Sequence, residues 1–367
     1  MEELLALIAL LRIEGIGGRH IRKWRKAWGS LEALWMPHGE KALPPQLREQ
    51  LSNLSRLRRE AEVIVQTCER LGIQIIPYYS SEFPPLLEEI MAPPAVLYKK
   101  GPHSLMGQPM VAVVGTRKPS AYGLKATEYF VESLIAAGVA IVSGLAYGID
   151  AQAHRTALER GGKTIAVLAH GLDWVYPPAH RRLAEELLKE GAWVSEYPPG
   201  TKLHPLHFPY RNRIIAGLAH MTLIVESRVG GGAFFTARAA FEANRPVFAV
   251  PGDIFSSTSE GTHTLIAEHI AQIAYHPEAL VRELRLHTER LPLPTNASDT
   301  PMPEDPLQAQ IYTLLEKGSR HIDELCSLTG YSVSELNRIL MHMEIEGWIR
   351  QKPGGFIFRE VPPNAKS

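Results

Sequence analysis

The chain reads as an α/β protein built on a Rossmann-like parallel sheet, with a helical unit before it and a winged helix after it. Three observations carry this expectation. Between residues about 108 and 275, short Val/Ile-rich runs alternate with helical patterns, as in a parallel sheet covered by helices on both faces. Residues 1 to about 90 show helical spacing and no convincing strand alternation. Beyond a Pro-rich stretch at 286–306 come three short helical patterns and a hairpin signal.

In chain order, Leu4, Leu7, Ile8 and Leu11 fall on one helical face. Gly15-Ile-Gly-Gly18 then leads into Arg19, His20, Arg22, Lys23, Arg25 and Lys26. A glycine turn before a basic helix resembles a helix-hairpin-helix or SAM-like unit, whose turn can offer N–H groups to phosphate. An ordinary helix–helix turn with a solvated basic face fits the same residues. Strands are expected at Met110–Val114, Val139–Ser143, Lys163–Leu168, Ala192–Ser195, Met221–Glu226 and Pro246–Val250. Helices are expected at Tyr122–Ala137, Ile149–Glu159, Ala179–Lys189 and Ala233–Ala243. The domains read as 1–90 helical, 91–285 Rossmann-like, 286–306 linker stiffened by proline, and 307–360 winged helix. In the last of these, Ser332 opens a helix with a capping box to Glu335. Trp348-Ile349 and Phe356-Ile357-Phe358 flank the Gly354-Gly355 turn.

Composition narrows the function. Lys+Arg and Asp+Glu both number 39, so the formal charge is zero and any nucleic-acid site must arise from local clustering. Two distant cysteines, Cys68 and Cys326, form neither a disulfide framework nor a CxxC metal pattern. The Met-Glu-Glu start lacks the basic region of a signal peptide. No apolar run approaches the ~20 residues of a membrane span. A reducing, cytoplasmic setting without membrane attachment is expected.

Ligands of an open parallel sheet bind at the carboxyl ends of its strands, and those loops are rich in candidates. Gly115-Thr-Arg-Lys-Pro-Ser-Ala-Tyr-Gly123 follows the first strand, and Ser143-Gly-Leu-Ala-Tyr-Gly-Ile-Asp150 the second. Their glycines permit close backbone approach, the following helix offers N–H donors, and Arg117 adds a bidentate cation, so an anion such as phosphate is expected. Neither loop is GxGxxG, so no dinucleotide cofactor is expected. After Ser195, Lys202, His204, His207, Phe208, Tyr210, Arg211, Asn212 and Arg213 interleave cations with aromatics on what reads as a loop. Such a mixture pairs phosphates and stacks bases. Arg228-Val-Gly-Gly-Gly-Ala-Phe-Phe-Thr-Ala237 sets Gly231 ahead of another helix. HExxH, Walker A, GxSxG and Cys-His metal spacings are missing. His204 and His207 have no obvious third ligand, and no metal is expected. Asp150, Asp173, Glu196, Glu226 and Asp253 lie near this rim and suit either acid–base work or the capping of helices and arginines.

Five ordered motifs resemble the DNA-processing protein A (DprA/Smf) family. They are Val111-Ala-Val-Val-Gly-Thr-Arg117 with Ser120 and Tyr122-Gly123, Ser143 to His154, Ser195-Glu-Tyr-Pro198, Phe208 to Leu218, and Pro251-Gly-Asp253. The resemblance implies a SAM-like N-terminal domain, an extended Rossmann domain and a winged-helix tail. It also implies single-stranded DNA binding without strong sequence preference, homodimerisation, and loading of the recombinase RecA during natural transformation or recombination, with no enzymatic activity. By position it makes Arg117 the motif arginine, Ser143 and Gly144 the phosphate-contacting pair, and Phe208, Arg211 and Arg213 part of the DNA pocket. With the loop readings, the expected DNA contacts are Gly115, Arg117, Ser143, Gly144, Lys202, Phe208, Arg211, Asn212, Arg213 and Gly231. The chain departs from the family near Gly232, where a serine is usual, at His263, where Asn is usual, and at Glu268-His-Ile270, where a Gly-Ala ending is usual.

An alternative is a nucleotide N-glycosidase of the lysine-decarboxylase-like kind, whose PGGxGTxxE motif supplies a catalytic Glu. Here the comparable stretch begins Val229-Gly-Gly-Gly and has Ala239 at that Glu position. The candidate recognition helix of the tail, Ser332–Glu346, carries Glu335, Glu344 and Glu346 against Arg338. An acidic helix suits phosphate poorly, so the tail is expected to contact protein or the other domains.

Overall fold

The computed structural model describes residues 1–36, 54–288, 303, 305–315, 320–352 and 355–359. Most of the expected linker lies outside them. The chain divides into two compact units, Met1–Leu291 and Pro292–Ser367.

The first unit opens with helices α1 (Glu2–Leu11), α2 (Gly18–Trp28) and α3 (Leu54–Leu71). Strand β1 (Gln74–Pro77), the single turn α4 (Pro85–Glu88) and β2 (Val96–Lys100) follow. Then β3 (Met110–Val114), α5 (Ala121–Ala136), β4 (Ala140–Ser143), α6 (Ile149–Glu159), β5 (Thr164–Leu168), α7 (Arg181–Leu187) and β6 (Ala192–Ser195) alternate. The unit closes with α8 (His207–Leu218), β7 (Met221–Ile224), α9 (Gly232–Glu242), β8 (Val247–Ala249), α10 (Glu260–Ala267), β9 (Gln272–Ile273) and α11 (Pro277–Thr288).

The strands form one sheet in the order β1-β2-β6-β5-β4-β3-β7-β8-β9. From β6 to β9 the pairing is parallel, with Val111 opposite Ile141 of β4 and Met221 of β7. Every residue of β3 to β8 is buried, which is why these strands read as unbroken apolar runs. Chain order runs outward from β3 in both directions, so the reversal falls between β3 and β7. A crevice opens there at the carboxyl ends.

The antiparallel β1–β2 hairpin extends the sheet beyond β6. It was not anticipated. Gln-Ile-Ile-Pro is a short run directly after a long helix, and 18 residues, one helical turn among them, part the two strands, so no tight-turn signal marks them. Helices α1 and α2 pack their apolar faces (Leu7, Leu10, Trp24) against Tyr98, Leu168 and Trp193 of the sheet. The arginines of α2 are engaged internally. Arg19 donates to Met91 O, and Arg22 to Pro93 O and Pro94 O at 3.1 Å while lying over the Tyr78 ring. Arg25 pairs with Glu3 and covers Tyr79. They anchor the helix to the chain around residue 93, a role neither sequence reading gave them. Lys23 and Lys26 remain exposed.

The second unit contains α12 (Pro306–Leu314), β10 (Arg320–His321), α13 (Ile322–Thr329), α14 (Val333–Ile345), β11 (Ile349–Lys352) and β12 (Phe356–Arg359). Its sheet order is β10-β12-β11, a winged helix as expected. Tyr312, Leu325, Leu336, Leu340, Met343 and Ile357 form its core. The capping box is present: Glu335 N donates to Ser332 Oγ at 3.4 Å, and Ser332 N to Glu335 Oε2 at 3.0 Å.

One buried histidine ties α6 to the sheet. The Thr164 hydroxyl donates its proton to Ile141 O at 2.9 Å, so it accepts from His154 Nδ1 at 2.7 Å. His154 is therefore neutral, with Nε2 buried and unbonded among the described residues, and burial pulls its pKa down to about 3. The unfolded ring titrates near 6.5, about the model-peptide value. Between those values the unfolded chain holds a proton that the native chain lacks. Stability should fall as pH drops from about 6.5 towards 3, by up to about 1.4 kcal/mol per pH unit from this group. Urea unfolding across that range should show a slope shallower by up to one proton in His154→Gln; an unchanged slope would mean the ring protonates in the native state.

Candidate nucleic-acid interface

The crevice is a cavity of about 660 Å³ lined from five loops. Its walls include Gly115, Thr116 and Arg117 after β3, Ala146 and Asp150 after β4, and Tyr176 after β5. Leu203, Phe208, Arg211 and Asn212 come from the segment after β6, and Ser227, Arg228, Gly231 and Gly232 from the loop after β7.

Beneath it lies a buried charged pair of groups. Arg211 is 5% exposed. Its Nη1 donates to Gly144 O at 2.7 Å and to Val167 O, and its Nε to Asn212 Oδ1 at 3.1 Å. It thus clips the ends of β4 and β5 together. Asp150 is buried beside it and accepts N–H bonds from Gly144, Ala146 and Gly115. Burial pulls the Arg211 pKa down to about 10, opposed by Asp150. Burial pushes Asp150 up, opposed by Arg211 and those three N–H groups. A β-carbon on Gly144 would sit 2.6 Å from the guanidinium, so only glycine admits the arginine here. The anion expected at these glycine loops is therefore supplied by the chain itself, because Asp150 already collects their donors.

Glu226 supports the first loop in the same way. It is 2% exposed and accepts from Ser120 N at 2.9 Å, Ser120 Oγ at 2.6 Å and Thr258 Oγ1 at 3.1 Å. Ser120 in turn accepts from Gly123 N and caps α5. Asp173, Glu196 and Asp253 are likewise engaged, with Gly200 N, Arg213 and Phe255 N. Each rim acid orients local structure.

The groups facing the cavity are different ones. Arg117 is exposed and lies over the Phe208 ring at 5.1 Å. The Tyr176 ring lies beside Phe208, with centroids 6.2 Å apart and planes inclined at 56°. The N-terminus of α9, capped by Gly231, has no side-chain cap and opens on the cavity, so its first N–H groups and its positive dipole end are available to an anion. Asn212 Nδ2 donates to Gly232 O at 3.1 Å and fixes that turn against α8. Lys202 is exposed on the loop leading in.

The structure thus gathers the ten expected residues at one edge but in two layers. Arg117, Lys202, Phe208 and Gly231 face outward. Ser143 is fully buried with its hydroxyl donating to Val113 O at 2.7 Å. Gly115, Gly144, Arg211 and Asn212 are spent on loop–loop contacts, and Arg213 pairs with Glu196. One expectation is corrected outright. Phe208 to Arg213 is not loop but the first half of α8. Pro209 is tolerated in the first turn of a helix, and the charged and aromatic residues masked the helical period. Sequence reasoning missed Arg228, an exposed cavity-lining cation. Its position directly before a glycine loop at a strand's carboxyl end was the available signal.

The two layers should separate on mutation. Arg211→Leu leaves Asp150 buried beside an apolar group and should cost about 3–5 kcal/mol of unfolding free energy. Arg117→Ala, at an exposed site, should change stability by less than about 0.5 kcal/mol. Paired denaturant curves check this, and equal costs would remove the distinction.

Comparison with known proteins agrees with this architecture. The family model of DNA recombination-mediator protein A matches residues 74–285, and that of the DprA winged helix domain matches 295–355. Protein Smf of Escherichia coli is 37% identical over 315 residues, covering 85% of this chain and 84% of that protein. The X-ray structure of DNA processing protein A from Streptococcus pneumoniae superposes with a TM-score of 0.59 at 32% identity, covering 77% of this chain and 93% of that one. DNA processing protein A from Helicobacter pylori, whose structure concerns its unique single-stranded DNA binding mode, gives 0.53 at 28%, covering 58% and 95%. The chain belongs to the DNA recombination-mediator protein A (DprA/Smf) family.

Proposed function

We propose that the chain binds single-stranded DNA in the 660 Å³ cavity and presents it to a RecA-type recombinase, as a cytoplasmic homodimer without enzymatic activity. One observation carries the DNA reading: the guanidinium of Arg117, which has no ion pair among the described residues, lies over an aromatic ring, Phe208, at the mouth of a cavity walled by a helix N-terminus without a side-chain cap. The cations and the N–H groups take phosphates, and Phe208 and Tyr176 take bases by stacking. Outward contacts fall to Arg117, Lys202, Phe208, Arg228 and Gly231. Gly115, Ser143, Gly144, Arg211, Asn212 and Arg213 hold them in place from behind. Phosphate contacts and ring stacking carry no base code, so sequence preference is weak. Among the described residues no helix is long and apolar enough to cross a membrane, and no cluster suits a metal ion. The engagement of every rim carboxylate, and Ala239 in place of a glutamate, weigh against the glycosidase alternative.

A fluorescence titration with labelled oligonucleotides tests this. Wild type should prefer single over double strands, with a salt slope of about −0.7 per phosphate contact. Arg117→Ala should flatten that slope by about one contact, and Phe208→Ala should cost about 1–3 kcal/mol of binding. Absence of binding by wild type, or binding indifferent to salt, would overturn the reading and turn attention to release of free base from nucleoside monophosphates.

The acidic residues of α14 are used within its own unit. Glu335 caps the helix, and Glu344 accepts from Gln351 N at 2.7 Å. Its exposed side carries Met341 and Ile345, a face for protein rather than phosphate. Deleting residues 306–367 should therefore leave single-strand affinity within about tenfold, since the phosphate contacts that dominate it lie elsewhere. A larger loss in the same titration would place DNA contacts in the tail.

A further inference from the structure

A second groove lies on the first unit, between α1, α3 and the turn at 198–201. Its volume is about 470 Å³, and Arg12, Arg56, Arg59 and Glu60 line its helical side. Three cations face one carboxylate. Glu60 is shared by Arg56 at 2.8 Å and Arg12 at 3.6 Å. Arg59 is exposed, with no ion pair or hydrogen bond among the described residues. These are exposed positions, where single ion pairs contribute little to stability. The opposite wall, Pro198-Pro199-Gly200-Thr201, is stiff, with Gly200 N donating to Asp173 Oδ1 at 3.0 Å and Thr201 Oγ1 to Pro198 O at 2.7 Å.

The groove and the cavity are joined by a row of rings. Phe208 and Tyr176 line the cavity, 6.2 Å apart. Tyr176 lies 6.4 Å from Trp174, whose indole N–H donates to Thr201 O at 3.3 Å, in the groove wall. Tyr176 and Trp174 are both partly accessible. Their planes are inclined by 56° and 68° to one another, so they form a continuous aromatic surface rather than a parallel stack, along which an unpaired strand can lay its bases. Every base offers a π-face, so such a row needs no particular sequence.

We propose that this groove is a second seat for the same DNA strand. The strand leaves the cavity along Phe208, Tyr176 and Trp174, and its backbone phosphates settle between Arg12, Arg56 and Arg59. The N-terminal helices thereby lengthen the binding site, through α1 and α3, whose Arg59 is free of ion pairs among the described residues, rather than through the basic helix α2, whose three arginines bond backbone carbonyls or Glu3. This rests on the cavity being the primary single-strand site.

The test uses the full chain and two oligothymidylates, one of about 6 nucleotides that fills the cavity and one of about 15 that reaches the groove. The variants are Arg56→Ala/Arg59→Ala and the charge reversal Arg59→Glu, both at exposed helix positions. Wild type should bind the longer oligomer at least tenfold tighter than the shorter. Both variants should keep wild-type affinity for the short oligomer and lose most of the gain with length. The double variant's salt slope on the long one should be smaller by about 1.4, two single-strand contacts. Variants that bind both lengths as wild type does, or that weaken both equally, overturn the second seat while the cavity reading stands. Wild type that fails to bind the short oligomer overturns the cavity reading, and the groove proposal falls with it.

Discussion

The carboxyl edge of this sheet depends on one buried guanidinium. Arg211 reaches back from α8 to the carbonyls of Gly144 and Val167, so one rigid planar group joins the ends of two adjacent strands to the helix that crosses them. A charge taken out of water is costly unless it is hydrogen-bonded and partnered. Here the two carbonyls, Asn212 and the nearby Asp150 meet that cost together. Asp150 then fastens the loops after β3 and β4 through backbone N–H groups. The loops are fixed before any ligand arrives, which spares binding the ordering of several residues.

This arrangement gives a chain of zero net charge a locally cationic edge, as the proposed binding of a polyanion requires. Attraction depends on the local field, not the total. The cavity wall holds Arg117, Arg211 and Arg228 against Asp150 alone. Asp150 and Glu226 are turned inward onto backbone N–H and hydroxyl groups, and Glu196 is matched to Arg213. Among the described residues the edge therefore presents cations without an ion pair at Arg117 and Arg228, while its carboxylates are engaged in hydrogen bonds or ion pairs.

The parallel core was legible because burial on both faces forces continuous apolar runs, and β3 and β6 fall on the residues expected of them. The edge hairpin was not, because Ile75 and Ile76 are only part of a four-residue strand whose partner lies some twenty residues on. The clustering of site residues was legible too, since glycine, arginine and aromatic residues collected at successive strand ends. Direction was not. Residue type says that Ser143 can bond a phosphate; only the fold shows its hydroxyl committed to Val113 O. His263, where Asn was expected, sets its Nε2 against the Gly252 backbone, 3.1 Å from the carbonyl oxygen and 3.3 Å from the nitrogen, a use that residue type alone does not reveal.

Glycine-rich loops pose the same ambiguity in a sharper form. A glycine is needed either because a ligand approaches or because another part of the chain does, and sequence cannot distinguish the two. The space in front of each residue can. A β-carbon on Gly115 would meet Ile149 at 2.5 Å, and one on Gly144 would meet Arg211 at 2.6 Å; these glycines serve internal packing. On Gly232 the nearest atom would be Asn212 Nδ2 at 3.9 Å, and the space ahead is the cavity itself. Of these three glycines, only Gly232, at the N-terminus of α9, leaves room for a phosphate to approach the backbone. The first two loops shape the site, and the third, with Arg117 and Phe208 opposite, is where a strand can touch it.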